Sequence, residues 1–125
     1  LALSVAQGGQ YVMQDQVAAY LDSLDLPEGS VITDVAYSFP IVLASRNPKQ
    51  FVITPDRDFE EKLNNPVEGK VRYALVIDPA FSTADAVALR FPGIHGDGSG
   101  VATLTYEWRD GRGASWRLYE FNGIS

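Results

Sequence analysis

The sequence predicts an α/β domain: a small three-layer, Rossmann-like sandwich in which three parallel strands are extended by a C-terminal antiparallel hairpin. Three observations predict it. Apolar residues switch repeatedly between helical spacing and β-branched runs, giving helix, strand, helix, strand, helix, strand, helix and then a hairpin. Strand–helix–strand units imply parallel pairing through right-handed crossovers, and Ser38–Gln50 is long enough for one. Two β-rich runs flank Asp110-Gly111, a hairpin signal. The expected order puts the first strand between the second and third, with a switch point between strands one and three.

Each element has a local reason. Met13, Val17, Leu21 and Leu24 recur at helical spacing, and Pro27 and Gly29 end that helix. Val31–Tyr37 is β-branched and aromatic, which favours a strand. Ser38-Phe39-Pro40 starts a short helix, with proline in its first turn. Its body, Ile41-Val42-Leu43-Ala44, is apolar on every side and is expected to be buried. Phe51-Val52-Ile53 reads as an interior strand. Asp56 is the expected N-cap of Arg57–Leu63, where Phe59 and Leu63 share a face. Val71–Ile77 is the clearest strand. Ser82-Thr83-Ala84-Asp85 has the form of a capping box, with Ser82 as N-cap. Gly93–Gly100 holds four glycines and reads as a loop. Val101–Arg109 and Ser115–Phe121 complete the hairpin.

The 125 residues suit one domain with a core of its own. Residues 11–125 read as that domain, and residues 1–10, with Gly8-Gly9, as a linker or tag remnant. The first residue is Leu1 and the only methionine is Met13, so the chain reads as a fragment or processed product. No apolar run reaches the roughly 18 residues of a membrane span. The net charge of -6 repels phosphate backbones, which argues against a nucleic-acid partner. The absence of cysteine excludes disulfides, thiolate metal sites and a cysteine nucleophile.

Candidate chemistry sits at predicted strand ends. Asp34, Asp56, Asp58 and Asp78 fall near the carboxyl ends of the three parallel strands, where ligand crevices of open α/β sheets lie. Converging carboxylates could hold a cation or move a proton; spread apart, they cap helices. Capping is the expected role, and no catalytic or metal-ligating residue is assigned. Trp108 and Trp116 in the hairpin could stack on a sugar ring. Tyr106 and Trp108 are expected to share a face with Leu104, which favours a core role instead. His95 is the only histidine, too few ligands for zinc, and reads as a solvated loop residue. The glycine-rich loop lacks the lysine of a P-loop and follows a helix rather than a strand, so it is no phosphate cradle.

A series of short words carries a resemblance: Phe39–Leu43 (FPIVL), Ala44-Ser45-Arg46, Phe51–Thr54 (FVIT), Asp56-Arg57-Asp58-Phe59 and Val71-Arg72-Tyr73, then Phe91-Pro92-Gly93 and Trp116-Arg117-Leu118-Tyr119. Together they resemble the C-terminal extracytoplasmic domain of actinobacterial multispanning membrane proteins that look like dolichyl-phosphate-mannose (family 39, GT-C type) glycosyltransferases. The resemblance implies a tail on the extracytoplasmic side of the membrane, tethered by spans that precede it. In that superfamily the membrane-embedded part transfers sugar from a polyprenyl-phosphate donor, using an acid in an early loop. No position here matches that loop, so no catalytic residue carries over. The expectation is a non-catalytic accessory domain without a cofactor, whose partner is the transmembrane part of its parent. The alternatives are a small-ligand or saccharide-binding module, contacting a sugar or envelope component, and a stand-alone enzyme using the strand-end carboxylates.

Overall fold

A computed structural model describes residues 12–123. The expected linker, residues 1–10, lies outside them. The fold is mixed α/β around one five-stranded open sheet, parallel on one side and antiparallel on the other.

Helix α1 (Val12–Ser23) buries Met13, Val17 and Leu21, as their spacing predicts. Leu24 lies past its end and is exposed. Strand β1 (Val31–Thr33) is shorter than its β-branched sequence suggests. Asp34 ends it: its carboxylate accepts the Ala36 N–H at 3.0 Å and starts α2 (Val35–Ala44). A local side-chain cap here overrides the β propensity of Val35 and Tyr37. The helix therefore begins before Ser38, and Pro40 lies inside it rather than in its first turn. Its apolar body is only partly buried: Ile41 is fully enclosed, but Leu43 is 69% exposed.

Strand β2 (Phe51–Ile53) pairs in parallel with β1, and β1 pairs in parallel with β3 (Tyr73–Ile77). The full order is β2-β1-β3-β5-β4, so the central placement of β1 agrees with the sequence. The expected interior position of β2 does not, because β2 is an edge. A parallel edge strand leaves alternate N–H groups open to another chain. Here both are occupied. The Phe51 N–H donates to the Pro48 carbonyl, and the Ile53 N–H to the Asp56 carboxylate at 2.9 Å. Asp56 therefore closes the sheet edge instead of capping α3 (Phe59–Asn64), which starts later and buries Phe59 and Leu63 as predicted. Asp56→Ala should leave the Ile53 N–H open, costing about 1 kcal/mol and lowering the concentration at which the protein aggregates on warming. Light scattering against temperature tests this; an unchanged onset refutes the edge role.

The capping box resolves differently from its prediction. Asp85, not Ser82, caps α4 (Ala86–Arg90), accepting the Val87 and Ala88 N–H groups at 2.9 and 3.2 Å. The predicted glycine loop contains a helical turn, α5 (Ile94–Asp97), bracketed by Gly93 and Gly98 at φ +83° and +81°. Those left-handed positions are where glycine starts and stops a turn without steric cost.

Strands β4 (Ala102–Arg109) and β5 (Ser115–Phe121) form the hairpin, and β5 pairs antiparallel with β3. A bulge between Leu104 and Tyr106 breaks the predicted alternation. Leu104 stands opposite Tyr119, whereas Tyr106 and Trp108 stand opposite Leu118 and Trp116. One extra residue thus sends Leu104 to the other face.

Successive strand residues feed two separate apolar clusters. Val31, Phe51, Leu75, Trp116 and Leu118 pack with Met13, Val17, Leu21 and Ile41 from α1 and α2. Ile32, Val52, Val76, Tyr119 and Phe121 pack with Phe59, Leu63, Val87 and Ile94 from α3, α4 and α5.

Candidate functional site

The carboxyl end of β1 is where polar groups concentrate. Asp34 is only 6% exposed, and its carboxylate is shared between two helices. Oδ1 accepts the Ala36 N–H of α2 and, at 3.4 Å, the Thr54 hydroxyl; Oδ2 accepts the Ala86 N–H of α4 at 2.9 Å. Thr54 in turn accepts the Val35 N–H. The first turn of α4 thus takes two carboxylates, Asp34 at Ala86 and Asp85 at Val87 and Ala88. Asp85 is 2% exposed. Burial pushes its carboxyl up to about 6; the Ala88 and Val87 N–H groups oppose the rise, and the Asp34 charge adds to it.

The other predicted acids go elsewhere. Asp56 holds the β2 edge. Asp58 is half exposed and pairs with Lys62 one helical turn on, at 3.0 Å, which lowers its carboxyl. Both line a cleft of about 450 Å³ beside β2, where Glu28, Lys49, Arg57 and Lys62 mix the charges. Asp78 accepts the Ala80 N–H at 2.9 Å and shapes the turn after β3. Asp34, Asp56, Asp58 and Asp78 therefore do not share one site; only Asp56 and Asp58 line a common cleft. Among the described residues no three His, Asp or Glu side chains are grouped to hold a metal ion. Trp108 and Trp116 are cross-strand partners buried in the core, and the Trp116 indole donates to Asp110 at 3.1 Å. Neither offers a face for stacking.

His95 corrects its prediction most sharply. It is 8% exposed, not solvated, because α5 folds it against β5. Its Nε2 lies 3.2 Å from both the carbonyl and the hydroxyl of Ser115, and the Ser115 hydroxyl donates to Glu107. Its own carbonyl accepts from Arg117 at 2.6 Å and from the Tyr119 hydroxyl at 2.7 Å. Burial lowers the imidazole's affinity for a proton, and the Arg117 charge lowers it further.

Next to His95 lies a cavity of about 300 Å³ beyond the carboxyl end of β3. Pro79, Ser82, Ala88, Leu89 and Ile94 line it together with the histidine. Ser82 is buried, and its hydroxyl has no hydrogen-bond partner among the described residues. No local pattern points to this cavity, since Ser82 reads as a cap and His95 as solvent-facing. Asp85 was more legible: an aspartate directly before Ala86-Val87 is itself an N-cap signal. No protein-family model, no curated protein and no solved structure matches this chain.

Proposed function

We propose that this chain is a non-catalytic accessory domain on the extracytoplasmic side of a membrane-bound, glycosyltransferase-like envelope protein. The observation that carries the non-catalytic part is the commitment of its acids. Asp34 and Asp85 cap helices, Asp56 closes a sheet edge, Asp78 shapes a turn, and Asp58 sits in an exposed ion pair. General acid–base chemistry needs two titrating groups free to face one substrate; Asp56 and Asp58, which share a cleft, are engaged by the Ile53 N–H and by Lys62. The tether and the parent rest on the FPIVL, FVIT and WRLY words of the sequence. The partner is then the transmembrane part of the same protein. No helix among the described residues is long and apolar enough to cross a membrane, so the anchor would be supplied from outside this stretch.

The architecture fits a scaffold role. Two apolar clusters on opposite faces of the sheet support reading it as a three-layer, Rossmann-like sandwich. Sequencing the full reading frame tests the proposal. Hydrophobic spans of roughly 20 residues should precede Leu1. A frame without them ends the tethered reading.

A further inference from the structure

We infer that the groove between α1 and α2 is a self-association surface, on which a second copy of this chain docks about a two-fold axis. Helix α2, VAYSFPIVLA, carries no charged residue. A helix that is apolar all round is ordinarily enclosed. This one is enclosed on one side only. Ile41 packs in the core, while Phe39 and Leu43, one turn apart, are 54% and 69% exposed. With Pro40 they line an open hollow of about 500 Å³, bordered by Asp15 of α1. A second hollow, of about 300 Å³, continues from Asp15 past Ala19 and Ala44 to Asp22 and Arg46. A contiguous exposed apolar patch with a polar rim is the mark of an interaction surface.

Charge names the occupant. The two helices run side by side in the same direction. Asp15 borders Phe39 and Pro40, and Asp22, two turns on, accepts the Ser45 hydroxyl and the Arg46 N–H just past the end of α2. Asp15 and Arg46 therefore stand toward opposite ends of one groove, with Ala19 and Ala44 between them. The Asp22 carboxylate is already engaged by Ser45, Gln50 and the Arg46 backbone. Neither the Asp15 carboxylate nor the Arg46 guanidinium forms an ion pair among the described residues. The groove thus fits an occupant that is apolar in the middle, basic at one end and acidic at the other. A wholly basic segment would oppose Arg46, and a wholly acidic one Asp15. A second copy turned by 180° has the required order, because each Asp15 then meets Arg46 of the other copy. Phe39 and Leu43 of both copies become buried in the middle, as in an isologous dimer. The apolar contact supplies the affinity, and the two ion pairs fix the register. The inference depends on neither the membrane tether nor the glycosyltransferase-like parent, and it stands or falls apart from them.

Sedimentation equilibrium of the full chain, from about 10 µM to about 1 mM, tests it. The apparent mass should rise with concentration from 13.7 kDa toward twice that value. The patch is small, so the expected Kd is roughly 100 µM. Leu43→Ser, at an exposed position that the fold does not need, should remain a monomer throughout. Asp15→Lys and Arg46→Glu should each weaken the dimer about tenfold or more, because two like-charge pairs replace two opposite ones. Mixed in equal amounts, these two variants should dimerise again: Asp15 of one meets Arg46 of the other, and the new lysine meets the new glutamate. A general loss of structure in either variant would not be repaired by mixing. A parent chain that stays monomeric to about 1 mM overturns the inference, whatever else occupies the groove. So does a dimer that survives Leu43→Ser, which would form through another surface, or a mixture that associates no better than the single variants.

Discussion

Asp34→Ala should lower the free energy of unfolding by about 2 kcal/mol. The figure follows from what one carboxylate does. It caps α2 at Ala36, and it satisfies the first N–H of α4 at Ala86. Losing the α2 cap costs about 1 kcal/mol, while α4 keeps its own cap, Asp85. The Ala86 N–H would also be stranded without an acceptor, at roughly 1 kcal/mol more. For a chain of this size the loss corresponds to a fall in Tm of about 8 °C. Asp34→Asn should lie between, because its amide oxygen can serve one helix but its NH2 group then faces the other. Urea titration of both variants measures the effect. A loss under about 1 kcal/mol for alanine would mean that water replaces the carboxylate without penalty, and that Asp34 does not join the two helices.

The dual role of Asp34 also shows where sequence reasoning reached and where it stopped. Alternating apolar segments were sufficient to place β1 between β2 and β3 and to bury Phe59 with Leu63 on one helix face. Those features depend on periodicity, which a single chain displays directly. The errors arose where one polar atom outvoted a run of apolar ones. Val31–Tyr37 has the composition of a strand, yet the Asp34 side chain supplies a helix cap after three strand residues. Gly93–Gly100 has the composition of a loop, yet two left-handed glycines frame a helical turn that carries His95 inward. The bulge beside Thr105 has no local signature, and it alone decides that Leu104 and Tyr106 face opposite ways. Capping choice, glycine handedness and bulge position are settled by tertiary partners. The candidate site is built from such choices, so its cavity is not legible, although Ser82 and His95 each have a local reading.

Asp85 should make the protein more stable as pH falls from about 6 toward 4, opposite to the usual trend for acids. Its folded-state pKa is raised to about 6 from an ordinary 3.8, chiefly by burial, with the Asp34 charge adding to it. The folded chain therefore holds a proton that the unfolded chain releases across that interval. Stability gained from the raised pKa is fully present below about 4, declines through the interval, and is gone above about 6. The rise from 3.8 to about 6 corresponds to roughly 3 kcal/mol between the two limits. Asp22, Asp58, Glu107 and Asp110 act the other way: hydrogen bonds or ion pairs lower their pKa values, so their contributions weaken on acidification. The raw stability profile mixes both directions. Subtracting the profile of Asp85→Asn isolates the one group, because asparagine remains a good N-cap for Val87 and Ala88 but does not titrate. Relative to the parent chain, Asp85→Asn should gain stability on going from pH 4 to pH 7, by up to about 3 kcal/mol. Denaturant unfolding at several pH values measures this difference. A flat difference would show that Asp85 titrates alike in the folded and unfolded chains, and that α4 meets its two carboxylates without electrostatic conflict.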